Sequence, residues 1–194
     1  YNHAKRTFDI LGASSILFIG APVMLFVAAA VRLSSKGPVI LKQTRLTTGG
    51  KTFPMYKFRS MRIDAENDTG PVLAQKNDAR VTTVGRFIRL TRLDELPQLV
   101  NVLRGEMSLI GPRPERPEIA KQLSETLPYF NRRLEVKAGL TGLAQVEMGY
   151  SSCTDSYRRK LAFDRLYVQK KSLLLDTWIA FRTVWVMCTG RGAR

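Results

Sequence analysis

The stretch TRLDELPQLVNVLRGEMSLIGPRPE, residues 91–115, carries the features that decide the fold class and the candidate site. Leucine and valine recur in it at helical spacing as far as Gly105, and Asp94 and Glu95 stand side by side where that helix is expected to begin. Acids are common at helix starts, so an N-cap is the simplest interpretation of Asp94. A rigid Gly-Pro-Arg-Pro segment follows, and its two prolines fix the backbone on either side of Arg113.

The two adjacent carboxylates are also suited to phosphate chemistry. Neighbouring residues on a helix point about 100° apart, so one acid can attack while the other binds a metal or accepts a proton. Carboxylates form acyl-phosphate intermediates, and helix N-termini favour bound phosphate. Because like charge opposes such an attack, cations must neutralise it. Each basic residue alone is more commonly a solvated surface charge, but together they form a set of candidates: Lys57, Arg59, Arg80 and Arg113.

Composition points to a polyanionic partner. The chain has 194 residues, with 31 Lys plus Arg against 16 Asp plus Glu, a formal net charge of +15. This excess suits nucleic acid, an anionic membrane surface or phosphate-bearing substrates. Cys153 and Cys188 form neither a disulfide framework nor a zinc pattern, and a single histidine, His3, argues against histidine catalysis.

An uncharged stretch of 22 residues, Ile10–Val31, lies near the start of the chain. As a straight helix it would measure roughly 33 Å, enough to cross the hydrocarbon core of a bilayer. A spanning helix and a signal peptide are two interpretations of such a run. The length of the run and the acid Asp9 at its entrance argue against a signal peptide.

Pro22, near the middle of this run, favours a third interpretation: a re-entrant segment that enters the membrane and returns. Proline removes a backbone hydrogen bond and clashes with the preceding turn, so we expect a helix, a break and a second helix, each about half a bilayer long. The positive-inside rule then places both ends on the cytoplasmic side, because basic residues flank the run on both sides: Lys5, Arg6, Arg32 and Lys36.

The remaining pattern predicts short elements around one small hairpin. Val39–Arg45 and Thr52–Met61 read as strands joined at Gly49-Gly50, and Asp64–Lys76 reads as a loop. Three further stretches read as helices: Arg86–Leu93, Pro117–Leu127 and Tyr157–Lys171.

The apolar tail Leu173–Cys188 leaves two interpretations open. Trp178 and Trp185 are seven residues apart and therefore share a helix face. That face either packs into the core or lies in a membrane interface, where tryptophan is favoured.

At this point the sequence resembles a known family. NDARVTTVGRFIRLTRLDELPQLVNVLRGEMSLIGPRPE resembles the bacterial sugar transferases, the monotopic polyprenyl-phosphate phosphoglycosyl transferases. The resemblance runs almost end to end, through AKRTFDI with the apolar segment, GPVILKQTRLTTGGKTFPMYKFRSM, VKAGLTGLAQV and FDRLYVQKKSLLLDTWIAFRTVWVM. It implies an α/β, mainly helical fold with a re-entrant membrane anchor at 1–36 and a cytosol-facing catalytic domain at 37–194, carrying a small β-hairpin and interfacial amphipathic helices.

The resemblance also implies roles for individual residues. Asp94 would be the nucleophile and Glu95 its partner, and both would hold Mg²⁺ against a diphosphate. Gln145 and Asp164, in the later motifs, would join the basic candidates named above in binding substrate.

Two functions remain in competition on the sequence. The first is an enzyme at the cytoplasmic face of the bacterial inner membrane, which transfers a sugar-1-phosphate from a nucleotide-diphosphate sugar, expected to be a UDP-sugar, to polyprenyl (undecaprenyl) phosphate through a covalent aspartyl-phosphosugar. In this case membrane lipid is a partner and nucleic acid is not. The alternative is a membrane-tethered basic module that binds anionic lipid or nucleic acid, which would explain the charge but not the acidic pair.

Overall fold

The computed structural model describes residues 1–63, 65, 78–148 and 154–189. Its helices in this part of the chain are α1 (Asn2–Ser34), α2 (Thr83–Leu90), α3 (Gln98–Arg104), α4 (Pro117–Thr126), α5 (Leu143–Glu147), α6 (Thr154–Lys170) and α7 (Leu173–Cys188). Its strands are β1 (Ile40–Leu46), β2 (Thr52–Phe58), β3 (Ser108–Ile110) and β4 (Gly139–Thr141). The predicted mainly helical fold with small β elements is confirmed. The loop expected at 64–76 lies outside the described residues except for Ala65.

The predicted hairpin is present. β1 and β2 pair antiparallel, from Ile40 opposite Phe58 to Leu46 opposite Thr52. Gly49 and Gly50 both have positive φ, 68° and 75°, which glycine adopts without a steric cost. The second strand ends three residues earlier than predicted, at Phe58.

A second, parallel pair of strands was not predicted. Ser108 lies opposite Gly139 and Ile110 opposite Thr141. The backbones approach closely here: a Cβ on Gly139 would lie only 2.1 Å from the backbone nitrogen of Gly111. This contact brings β4 directly against the start of the Gly-Pro-Arg-Pro segment.

The expected break at Pro22 is not seen. α1 is one continuous helix from Asn2 to Ser34, with Pro22 exposed inside it. A proline in a helix removes one backbone hydrogen bond, and a helix can continue past such a loss when its other contacts hold it. In α1 those contacts lie on both sides of the proline.

α1 packs against the rest of the chain along both of its halves. Ala13 belongs to the main hydrophobic core, together with residues of α3, β3 and α7. Val27 and Val31 belong to a second core cluster with Phe58 of β2 and Ile88 of α2. The opposite face of α1 carries large exposed apolar side chains: Leu11, Phe18, Ile19, Leu25, Phe26 and Leu33. By length and composition, α1 alone among the described helices could cross a membrane.

The two basic residues before the apolar run make structural contacts within the protein. Lys5 is buried and pairs with Asp9 at 3.4 Å and with Asp176 of α7 at 3.2 Å. Arg6 donates to the carbonyl oxygens of Val102 and Leu103, both at 2.6 Å, and so occupies the C-terminal end of α3. These contacts fasten the first turns of α1 to the domain.

α7 exposes the two tryptophans that were expected to share a face. Trp178 is 46% exposed and Trp185 is 57% exposed. Buried positions on the same helix are Asp176, Ile179 and Val186. The tryptophan face therefore does not pack into the core, and the first interpretation of the tail is wrong for these two side chains.

Candidate active site

The acidic pair lies on a 3₁₀ turn, Leu93–Glu95, that precedes α3. Arg92, just before the turn, has a left-handed backbone with φ of 57°, uncommon for a residue other than glycine. The N-cap position of α3 is Pro97, and the structure shows no side-chain cap there. The interpretation of Asp94 as an N-cap is therefore wrong.

Glu95 is paired with Arg113. Arg113 Nη1 donates to Glu95 Oε2 at 3.3 Å, and Nη2 forms a shorter charged contact with Oε1. The pair is therefore bidentate, with one guanidinium nitrogen on each carboxylate oxygen. Burial alone would raise the pKa of Glu95, but Arg113, followed by Lys57 and Arg92, lowers it below its ordinary value. Glu95 is therefore held as a carboxylate.

Asp94 is buried, and the described residues form no hydrogen bond or ion pair with it. Burial, together with the charge of Glu95, raises the pKa of Asp94 to about 6, against the opposing charges of Lys57, Arg113 and Arg89. The two neighbouring acids are thus different: one is neutralised by a partner, and the other is desolvated and available.

Two further cations act on the dyad, one from β2 and one from α2. Lys57 of β2 is half-buried, and burial together with Arg45 and Arg113 lowers its pKa to about 8. Its charge acts on both acids. Arg89 of α2 acts on Asp94 and also donates to Ser60 Oγ at 2.8 Å. Sequence reasoning named Lys57 and Arg113 but missed Arg89 and Arg92, although both lie in the basic stretch directly before Asp94.

The described contacts of Arg59 and Arg80 do not involve the dyad. Arg59 is buried and donates through Nη2 to the carbonyl and hydroxyl oxygens of Ser35, at 2.8 and 2.9 Å, which ties β2 to the end of α1. Arg80 pairs with Asp78 at 2.6 Å and donates to the carbonyl of Ala65.

The other two expected substrate residues are engaged by the protein. Gln145 Nε2 donates to the carbonyl of Leu140 at 3.1 Å, whereas its buried Oε1 accepts from none of the described residues. Asp164 is 2% exposed and accepts from Arg133, with Nε 3.0 Å and Nη2 2.8 Å from Oδ2. Burial raises the pKa of Asp164, and Arg133 and Lys160 oppose that effect. Substrate contact by these two residues stays untested.

The dyad fits the donor set of a magnesium site that a phosphate substrate completes. Among the described residues, no three histidine, cysteine, aspartate or glutamate side chains are grouped so that they could hold a metal ion by themselves. Mg²⁺ is commonly held by one or two carboxylates together with substrate phosphates and water. Asp94 offers carboxylate oxygens that no other described residue contacts, and each oxygen of Glu95 keeps a second lone pair beside its contact with Arg113.

Known proteins are similar to this chain over almost its whole length. The model of a family described as bacterial sugar transferase matches residues 1–190. Over 194 residues the chain is 44% identical to the UDP-N-acetylgalactosamine-undecaprenyl-phosphate N-acetylgalactosaminephosphotransferase of Aeromonas hydrophila, covering 100% of this chain and 46% of that protein. It is 43% identical over 183 residues to a UDP-glucose:undecaprenyl-phosphate glucose-1-phosphate transferase of Klebsiella pneumoniae, covering 93% of this chain and 39% of that protein.

A shorter relative matches nearly from end to end. The exopolysaccharide production protein PSS of Rhizobium leguminosarum bv. phaseoli is 42% identical over 186 residues, covering 93% of this chain and 92% of that protein. The chain spans less than half the length of the first two relatives and almost all of this one. With a family match that includes the dyad, the arginine between two prolines and the apolar first helix, the chain belongs to the bacterial sugar transferase family.

Proposed function

We propose that this protein is a phosphoglycosyl transferase that moves a sugar-1-phosphate from a nucleotide-diphosphate sugar to polyprenyl phosphate. The observation that carries the proposal is the unequal dyad: Asp94 is buried and unpaired within the described residues, beside a Glu95 that Arg113 neutralises. The names of the relatives supply the substrate class, UDP-sugars and undecaprenyl phosphate. A UDP-sugar is the donor that we propose, and the glycan that the product begins stays open between exopolysaccharide, O-antigen and glycoprotein.

The proposed reaction has two steps at one phosphorus atom. A carboxylate oxygen of Asp94 attacks the phosphorus that bears the sugar, and the bond to the nucleoside monophosphate breaks, so that this monophosphate leaves. A phosphate oxygen of the polyprenyl phosphate then attacks the same phosphorus and releases Asp94, giving the polyprenyl-diphosphate-sugar. Lys57, Arg89 and Arg113 offset the negative charge that gathers around the two acids.

Mg²⁺ is the cofactor that we propose for this site. Asp94 and Glu95 would hold it, and it would supply charge neutralisation to the donor diphosphate.

We also propose that the protein sits on the cytoplasmic face of the bacterial inner membrane without crossing it. Both halves of α1 pack on the same domain, and its outer face is apolar. The exposed apolar face of α7 supports an interfacial position for that helix. A basic binding module would account for the net charge of +15, but not for two carboxylates enclosed by cations.

The test of the reaction is a covalent adduct formed without the acceptor. Mixing the protein with UDP-sugars and Mg²⁺ alone, followed by rapid quench and intact-protein mass spectrometry, should show the added mass of one phosphosugar. Asp94→Asn should abolish both adduct and turnover. Glu118→Gln, an exposed acid in the first turn of α4, is the matched control and should behave like wild type.

Chelation of Mg²⁺ should prevent the adduct. The covalent route is wrong if no adduct accumulates and monophosphate leaves only when both substrates are bound. Direct transfer between the substrates would then take its place.

A further inference from the structure

The segment Gly111–Glu115, which carries Arg113, is held at four consecutive carbonyl oxygens. Gly139 N donates to the carbonyl of Pro112 at 2.9 Å, and Leu46 N donates to that of Glu115 at 3.0 Å. The other two carbonyls accept from arginine side chains. Arg45 Nη1 donates to Pro114 at 3.1 Å, and Arg133 Nη2 donates to Arg113 itself at 2.7 Å.

Arg133 is the more buried of the two arginines. It is 4% exposed, and it stacks on the ring of Phe130 with its guanidinium 5.2 Å from the ring centroid. Asp164 accepts from its Nε and lies 2.8 Å from its Nη2, and Glu115 lies 3.7 Å from its Nη1. Two carboxylates and a ring therefore orient the planar guanidinium, and Nη2 donates to the backbone carbonyl of Arg113.

A contribution to stability alone does not explain why Arg133, Asp164 and Glu115 are buried together. Burying charges costs desolvation energy, and buried ion pairs often contribute no net stability relative to apolar residues of similar volume. What the cluster does achieve is geometric: it fixes the backbone from which the Arg113 side chain reaches Glu95. A guanidinium displaced by about 1 Å can cost two orders of magnitude in rate.

We propose that Arg133 is a positioning residue that acts through Arg113, and that Asp164 aims Arg133 instead of binding substrate. The inference rests on the proposed function, because the site that Arg113 serves is the transferase site. It reassigns Asp164, which the family resemblance placed among the substrate-binding residues.

The experiment is a double-mutant cycle between Arg133→Lys and Arg113→Lys in the full chain, with release of nucleoside monophosphate as the readout. Lysine keeps the charge but has one ammonium in place of the planar fork, so it cannot reproduce the separate contacts of Nε, Nη1 and Nη2 with Asp164, Glu115 and the Arg113 carbonyl. Arg133→Lys alone should lower kcat/KM by about ten- to a hundredfold, and in the Arg113→Lys background it should add less than about twofold. Arg132→Lys is the matched control, because Arg132 is the exposed neighbour of Arg133 on the 3₁₀ helix Phe130–Glu135, and it should stay within about twofold of wild type.

A second readout does not need turnover. Arg113 lowers the pKa of Glu95, so loosening Arg113 should raise it, as measured by ¹³C NMR of the labelled side-chain carboxyl against pH. Arg133→Lys and Asp164→Asn should both raise it, and neither should raise it further once Arg113 is lysine. This titration tests the inference even if no donor is turned over. A failure of turnover would count against the proposed function alone.

Three results would overturn the inference. One is that Arg133→Lys causes its full loss of kcat/KM again in the Arg113→Lys background, because the two residues would then act independently. Another is that Arg133→Lys leaves the Glu95 titration at its wild-type position. The third is that Asp164→Asn raises only the KM for a substrate and leaves that titration unchanged, as a direct substrate ligand would.

Discussion

Asp94 and Glu95 are neighbours in the chain, but their pKa values are shifted in opposite directions. Burial and its acidic neighbour raise the pKa of Asp94 to about 6, whereas Arg113 lowers that of Glu95. In the proposed reaction only an ionised Asp94 can attack phosphorus. Below about pH 6 Asp94 is protonated, and we therefore expect the rate of the first half-reaction to decline by about tenfold for each further pH unit.

An alkaline decline should complete the profile, because Lys57 has a pKa lowered to about 8 and loses its charge above that pH. The measurement is monophosphate release against pH in a single-turnover format. Lys57→Arg keeps a cation at high pH and should remove the alkaline limb while the acid limb stays in place. A profile whose acid limb lies near the ordinary pKa of an aspartate would show that Asp94 is not the group being titrated.

The cations show what residue-level reasoning could and could not reach. Arg113 was identifiable because two prolines restrict its backbone. Arg59 and Arg80 also lie in basic motifs, but their described contacts are elsewhere: Arg59 donates to Ser35, 24 residues away, and Arg80 contacts Asp78, two residues away, and Ala65, 15 residues away. Nothing in the spacing of the basic motifs separates these two arginines from the ones that surround the dyad.

Among the elements, the parallel pair of β3 and β4 matters most for the site. Gly111 and Gly139 are in contact through their backbones, with Gly139 N donating to the carbonyl of Pro112 at 2.9 Å. A Cβ at Gly139 would lie 2.1 Å from Gly111 N and 2.4 Å from its oxygen, neither of which can rotate away. Gly139→Ala should therefore lower the free energy of unfolding by about 1–3 kcal/mol or more, and should also lower activity.

Gly20→Ala is the control for that substitution. Gly20 lies in α1, and a Cβ there would meet nothing within 4 Å, so alanine should be neutral or stabilise the helix by up to about 1 kcal/mol. Thermal unfolding of both variants in the same detergent gives the comparison. Equal melting temperatures for the two would show that the strands separate more easily than the described contact implies.

Local signals account for which elements were predictable. The hairpin was read from two glycines between β-type runs, and α4, α6 and α7 from apolar periodicity and a proline at a helix start. β3 and β4 have three residues each and lie about thirty residues apart, so neither length nor alternation marks them. The continuity of α1 was also out of reach, because core contacts on both sides of Pro22 outweigh the local preference for a break.

At the scale of the whole molecule, two surface properties bear on membrane binding: the net positive charge and the exposed apolar faces of two helices. A net charge of +15 favours association with anionic lipid and with phosphate-bearing molecules in general. The exposed apolar faces of α1 and α7 provide the surface that would enter the membrane. α1 is fastened at its start through Lys5 and Asp176, and near its end through Val31 and through Arg59 on Ser35.

This double attachment leads to a prediction about sidedness. A helix that crosses a bilayer has its two ends on opposite faces, whereas both ends of α1 are bound to one domain. In a background with Cys153→Ser and Cys188→Ser, single cysteines introduced as Asn2→Cys and Lys36→Cys should react with a membrane-impermeant maleimide from the same face, the cytoplasmic one. Phe26→Cys, on the exposed apolar face of α1, should be protected from the reagent until detergent is added, which separates burial in lipid from mere attachment to the surface. Labelling of the two ends from opposite faces would mean that α1 leaves the domain and spans the bilayer, and the packing of its second half against α2 and β2 could not persist in the membrane.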